Sequence, residues 1–241
     1  ALRAIASVSL GCAAAMRGRQ AGLVVTTHRI LVDRLAAAFS VDLRDTWPWP
    51  EPVLTYENGL PVRALIAAGH HLGEASLVTT GLRTLAWLVA SQTAADGTLS
   101  FVGNGWWPKD GSRSQFDQQP IEATTLLVAA EEAFAATADP RWLDAIERAY
   151  GWFLGENDLA AAVAIPETGA CHDGLTPHGV NANQGAESTL MWLTAVEHVR
   201  AVRARVARST TVPATPPAPP TPPMPPVAKP SRFAAFVAAW R

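Results

Sequence analysis

The residues able to do chemistry fall in three long loops. Asp117, Gln118, Gln119 and Glu122 stand within Phe116-Asp117-Gln118-Gln119-Pro120-Ile121-Glu122-Ala123. A second group, His172, Asp173, Asn181, Asn183, Gln184 and Glu187, follows Cys171. A third comprises Trp47, Trp49, Tyr56, Glu57 and Asn58, and Trp106 with Trp107 precedes the first group. A sugar shows an apolar C–H face and a rim of hydroxyls. Aromatic rings suit the face, and planar amides and carboxylates pair the hydroxyls, since buried polar groups must be hydrogen-bonded. Glycoside chemistry adds a pair of carboxyl groups across the scissile bond. Asp117 and Asp173 are the candidate pair, with Glu57 in reserve. The tryptophans, Tyr56, the amides, His172, Glu122 and Glu187 are the candidate substrate contacts.

The same residues have a structural explanation, and both readings are open at this level. Tryptophans anchor loops to a core, and first-turn acids such as Glu122 and Glu187 complement the helix dipole. Asp173 precedes Gly174 and suits a turn. Loops of this length, however, usually carry function. Cys171-His172-Asp173 with His178 matches no standard zinc spacing, so no metal is expected. No Gly-rich phosphate loop and no Gly-x-Ser-x-Gly elbow occurs, and no cofactor is expected.

Helices must position these loops. Apolar residues at helical spacing predict helices over residues 1–20, His28–Phe39, Pro61–Gly73, Leu77–Gln92, Pro120–Thr137, Asp139–Leu154 and Gly185–Arg208. Thr98 to Val102 has strand character. Pro120 suits the first position of its helix, where a missing N–H costs nothing. Asn183-Gln184-Gly185-Ala186-Glu187 repeats the pattern of Gln118-Gln119-Pro120-Ile121-Glu122, and Asn58-Gly59-Leu60-Pro61-Val62-Arg63 is a weaker third copy. A period of about sixty residues signals stacked supersecondary units. Arg63 breaks the pattern by standing where the other copies carry glutamate. The expected architecture is all-α, a helical-hairpin array with its long loops on one rim.

Composition sets further bounds. With 241 residues, 49% of them hydrophobic, and a net charge of -2, the chain can bury a sizeable core. It has no basic stripe to track a nucleic acid. Two distant cysteines form no disulfide framework, which favours a reducing, cytoplasmic compartment. Ala4 to Met16 is too short to span a membrane and reads as an amphipathic helix. The body is expected over residues 1–208, a proline-rich linker over 209–230 and a short amphipathic helix over 231–241, with Phe233, Phe236 and Trp240 on one face.

Three stretches carry a family resemblance. They are Trp49-Pro50-Glu51 with Leu54 to Asn58, Phe116 to Ala123, and Cys171 to Leu175 with Asn181 to Leu190. Together they resemble the (α/α)6-toroid carbohydrate-active proteins, the six-hairpin glycosidases and sugar epimerases. More narrowly, they resemble the helical region behind the catalytic domain of some bacterial family 4 glycosyltransferases. The resemblance spans about residues 28–200. It implies a partial toroid whose inner helix mouths line a sugar pocket, and a carbohydrate ligand. It also implies either a glycoside-processing activity or a non-catalytic sugar-binding or scaffolding module beside a glycosyltransferase domain or subunit. Complete toroids have twelve helices, and seven are read here. The nucleotide-sugar-binding domain is absent from this sequence.

Overall fold

The computed structural model describes residues 1–17, 22–40 and 46–211. Among them run seven helices: α1 (Leu2–Met16), α2 (Gly22–Ser40), α3 (Gly59–Leu72), α4 (Ala75–Ser91), α5 (Pro120–Thr137), α6 (Arg141–Phe153) and α7 (Ala186–Thr211). They form the all-α hairpin array that the sequence predicts. Ala1–Val206 is one unit. Of the linker expected at 209–230 only the first three residues are described, and they continue α7. The tail helix expected at 231–241 lies outside the described residues.

The short turns have clear causes. α3 ends at Gly73 in the left-handed conformation, φ 71°, where its N–H bonds to the carbonyl of Gly69. α5 ends the same way at Ala138, φ 56°. Asp139 then accepts the N–H of Arg141 at 3.0 Å and starts α6. α2 begins at Gly22, earlier than the expected His28. Val24, Val25, Thr26 and Thr27 are β-branched and weaken the helical signal there. Leu99 makes only an isolated bridge to Thr93 rather than a strand.

Alternate helices build two layers. α1 packs on α3 and α3 on α5, while α2, α4 and α6 each pack against the preceding member. α7 continues the inner row: Thr124 Oγ1 of α5 donates to the carbonyl of Met191 at 3.0 Å. Trp192 of α7 stacks on Tyr150 of α6, ring centres 5.4 Å apart. The inner row is tight. A Cβ on Gly59 would run into the backbone of Thr125, so the α3–α5 approach requires glycine at that position. α5, flanked on several sides, is apolar around most of its circumference rather than striped.

The long loops lie over the N-terminal ends of the inner helices, with small two-residue strands tying them together. β1 (Val53–Leu54) pairs with β2 (Trp107–Pro108) and joins the first loop to the second. β3 (Ala164–Ile165) with β4 (Ala170–Cys171), and β5 (Leu175–Thr176) with β6 (Gly179–Val180), fold the third.

Candidate functional site at the loop rim

Side chains from the first turns of the inner helices hold the rim together. Arg3 of α1 donates to Glu51 Oε2 at 3.0 Å, to Thr55 Oγ1 at 2.7 Å and to Asn58 Oδ1 at 3.1 Å. Its guanidinium also lies over the Tyr56 ring at 4.8 Å. Glu122, in the first turn of α5, does not serve its own helix. Its carboxyl accepts the backbone N–H of Glu57 and of Asn58, and the Asn58 side-chain amide at 2.9 Å. It thereby caps the start of α3. Burial pushes its pKa up to about 7, against the opposing pull of those hydrogen bonds and Arg3.

Gln118 is the second lock. Its side chain is fully buried. Oε1 accepts from the N–H of Phe101 and from Trp152 Nε1, both at 3.0 Å, while Nε2 donates to the Gln115 carbonyl at 2.8 Å and to Asp158 Oδ2 at 2.6 Å. Its backbone exchanges hydrogen bonds with Leu175, which stitches the second loop to the third. A Cβ on Gly174 would strike the Gln118 carbonyl, which explains the Asp-Gly-Leu sequence at this crossing.

Asp117 and Asp173 face one cavity of about 230 Å³, beside Asn104, Gln119, Thr176 and Asn181. Asp117 holds φ 60°, a left-handed backbone that Asp tolerates better than most residues. Asp173 caps α7. Its Oδ1 accepts Gly185 N–H at 2.7 Å and Ser188 Oγ at 2.8 Å, and its Oδ2 accepts the Asn183 amide. The Asn183 bond foremost, then that of Gly185, lowers its pKa, so Asp173 stays ionised. Burial pushes the neighbouring Cys171 thiol up to about 12, with Asp173 adding to the effect, so that sulfur is unreactive.

The remaining expected site residues divide. Gln119 and Asn181 line the Asp117–Asp173 cavity, and Asn183 reaches it through Asp173. His172 is half-buried and does not line it, while Gln184, just before α7, and Glu187, in its first turn, are exposed. Trp106 and Tyr56 are exposed at 45% and 49%. Trp47 and Trp49 are buried at 5% and 2%, so neither presents a ring face to a ligand. Trp47 meets Trp87 and Trp107 edge-on, and Trp107 stacks on Trp87 with ring centres 6.1 Å apart. Asn58, Gln118 and Glu122 are buried and engaged as described. Glu57 lines a different cavity, with Leu60, Thr125 and His198. Burial raises its pKa, Arg3 opposes this and Glu187 reinforces it. Sequence reasoning missed Asn104 and Thr176 in the cavity wall, as well as Asp158 behind Gln118. Asn104 lies in Gly-Asn-Gly, a signal for a backbone-exposed loop. Asp158 carries no comparable signal.

Fold and rim define an α/α toroid of incomplete circumference. No protein-family model matches the chain, and no curated protein matches it. Among solved structures the chain is similar to a selenomethionine derivative of a GH76 α-mannanase from Bacteroides thetaiotaomicron. The TM-score is 0.55 at 11% identity, over 85% of this chain and 70% of that one. That likeness supports the α/α toroid fold. Among the described residues no helix is long and apolar enough to cross a membrane.

Proposed function

We propose that the chain is a carbohydrate-active protein that processes a glycoside at the loop rim. The observation that carries this reading is the polar cavity onto which Asp117 and Asp173 both open, from two loops locked by the Gln118–Leu175 bridge. Amides of Gln119, Asn104 and Asn181 supply hydroxyl partners around the two acids. Asp173, held ionised, suits the base or nucleophile role, and Asp117 is the second carboxyl of the pair. Trp106 and Tyr56 are the exposed rings that could extend the sugar platform. The likeness in fold to an α-mannanase supports a sugar ligand without specifying which sugar. The resemblance of three sequence stretches to the helical region of some bacterial family 4 glycosyltransferases is the ground for proposing a glycosyltransferase domain or subunit as partner. The unpaired thiols of Cys12 and Cys171 support a reducing compartment such as the cytoplasm.

One observation favours a second reading, a non-catalytic sugar-binding module. Asp173 commits two hydrogen bonds to the start of α7 and a third to the Asn183 amide of the loop before it, a structural role that explains its presence without chemistry. A glycan-array screen of the full chain, followed by product analysis on each hit, separates the two. Under the first reading Asp117→Asn abolishes turnover and spares binding. Binding without any product in the wild-type chain would leave only the second reading, and no glycan hit would remove both.

A further inference from the structure

The residue that breaks the repeat marks a second site. Helical spacing places Leu60, Arg63, Ala67 and His70 on one stripe of α3. Ile66 and Gly69 lie on an adjoining stripe, against Gly81 and Val78 of α4. Arg63 lies off that contact face and lines a cavity beside α1 and α5. This cavity, of about 410 Å³, opens between α1, α3 and α5. Leu10 and Ala67 give it an apolar wall, and its charged or titratable groups are Arg17, Arg63, His70, His71 and Glu132. It shares no lining residue with the Asp117–Asp173 cavity.

The charges in this cavity are unbalanced. Two guanidinium groups face one carboxylate. Glu131, the other acid acting on Arg63, is taken by His198 at 2.5 Å and by Arg205 at 3.8 Å, both on α7. Among the described residues no ion pair holds Arg63, Arg17 or Glu132. The Arg63 Nε is sealed from solvent without an acceptor among those residues. Burial lowers the Arg63 pKa, Glu132 and Glu131 oppose this, and Arg17 adds to it. Complementing helix C-termini explains Arg17, which caps α1, and His70 and His71, in the last turn of α3. It does not explain Arg63, which lies in the first half of α3. A guanidinium N–H sealed from water without an acceptor is unfavourable unless something supplies one.

We propose that this cavity binds the oxyanion of a small phosphate- or carboxylate-bearing molecule. Arg63 and Arg17 clasp the anion, and Glu132 accepts a hydroxyl of the same ligand. Arginine suits this task because its planar fork matches both oxyanions. The volume falls within the usual range for small-molecule sites. The site does not depend on the reading of the loop rim.

Titration calorimetry on the full chain tests it with four probes: inorganic phosphate, glucose 6-phosphate, glucuronate and glucose. At least one anionic sugar is expected to bind at least about tenfold tighter than glucose, and the comparison of phosphate with carboxylate identifies the source of the anion. Arg17→Ala alters an exposed side chain and is expected to weaken binding about fivefold, with the fold retained and the melting temperature lowered only slightly by the lost helix-end charge. Arg63→Met is expected to weaken it by at least about thirtyfold, with Arg63→Lys recovering part of the loss. If Arg63→Met does not fold, Arg17→Ala and Glu132→Gln carry the test. Absence of heat with every probe at millimolar concentration overturns the proposal. So does glucose binding as well as its anionic relatives, or anion affinity unmoved by the folded variants.

Discussion

At the scale of single residues, Glu122 shows how far a local pattern can mislead about a role. The sequence predicts its position in the first turn of α5 and its service to a helix end. The helix it serves is α3, through the N–H groups of Glu57 and Asn58. Partners more than sixty residues apart in sequence leave no trace in spacing. The consequence is a pH dependence. Its folded pKa, about 7, stands above the ordinary value of 4.5, so the folded state holds the proton more tightly than the unfolded chain. Stability from this group is fully present below the unfolded value and is lost as pH rises through about 7. Between pH 6 and 8 the loss should be about 1 kcal/mol. Glu122→Gln removes the titration and should flatten the wild-type slope, measured as melting temperature against pH in both proteins. An equal slope in the variant would assign the dependence elsewhere.

Elements add what single residues lack. Helix positions are legible in the sequence because apolar spacing and Pro, Gly and Asp signals agree at α3, α5 and α6. The start of α2 is not, since its first turns are β-branched and their helicity depends on packing. Within the loops, the proline-flanked Trp47 and Trp49 resemble exposed platforms. Their burial against Phe39, Trp87 and Trp107 is set by elements distant in the chain. Parallel inner helices predict that all three loops converge on one pocket. The second and third line the Asp117–Asp173 cavity, whereas Glu57 of the first lines another. Gln118, which ties the second loop to the third, reads in sequence as a ligand contact. Gln118→Met keeps the side-chain length and removes all four hydrogen bonds. The variant leaves the Phe101 N–H and Trp152 Nε1 without their acceptor, at about 1–3 kcal/mol each. Chemical denaturation should show a loss of at least about 2 kcal/mol, and the sugar binding proposed at the Asp117–Asp173 cavity should weaken with it, because the side-chain tie from Gln118 to Asp158 of the third loop is lost. A variant within about 0.5 kcal/mol of wild type would show that the lock is dispensable.

At the scale of the whole molecule, an incomplete ring has ends, and its stability should be graded from the middle outward. The burial pattern gives the order. α5 buries ten of its 18 residues and α3 eight of 14, whereas α1 buries three of 15 and α2 four of 19. Neighbours on both sides account for the difference: α3 has α1 and α5 beside it and α4 behind, while α1 has α3 on one side and α2 behind. Apolar burial is the main term that offsets chain entropy, so the hairpin with least of it opens at lowest free energy. Links from the first hairpin to the body include Arg3 on the rim and the Arg29–Glu74 ion pair, which is partly solvent-exposed and therefore weak. In native-state hydrogen exchange, the amides of α3 and α5 should exchange only through global unfolding. Those of α1 and α2 should exchange through a partial opening, at least about 2 kcal/mol lower. Arg3→Ala should widen that gap, because it frees the α1 start from Glu51, Thr55 and Asn58. If α1 and α2 exchange as slowly as α5 in the wild-type chain, the ring opens as a single cooperative unit and the graded order fails.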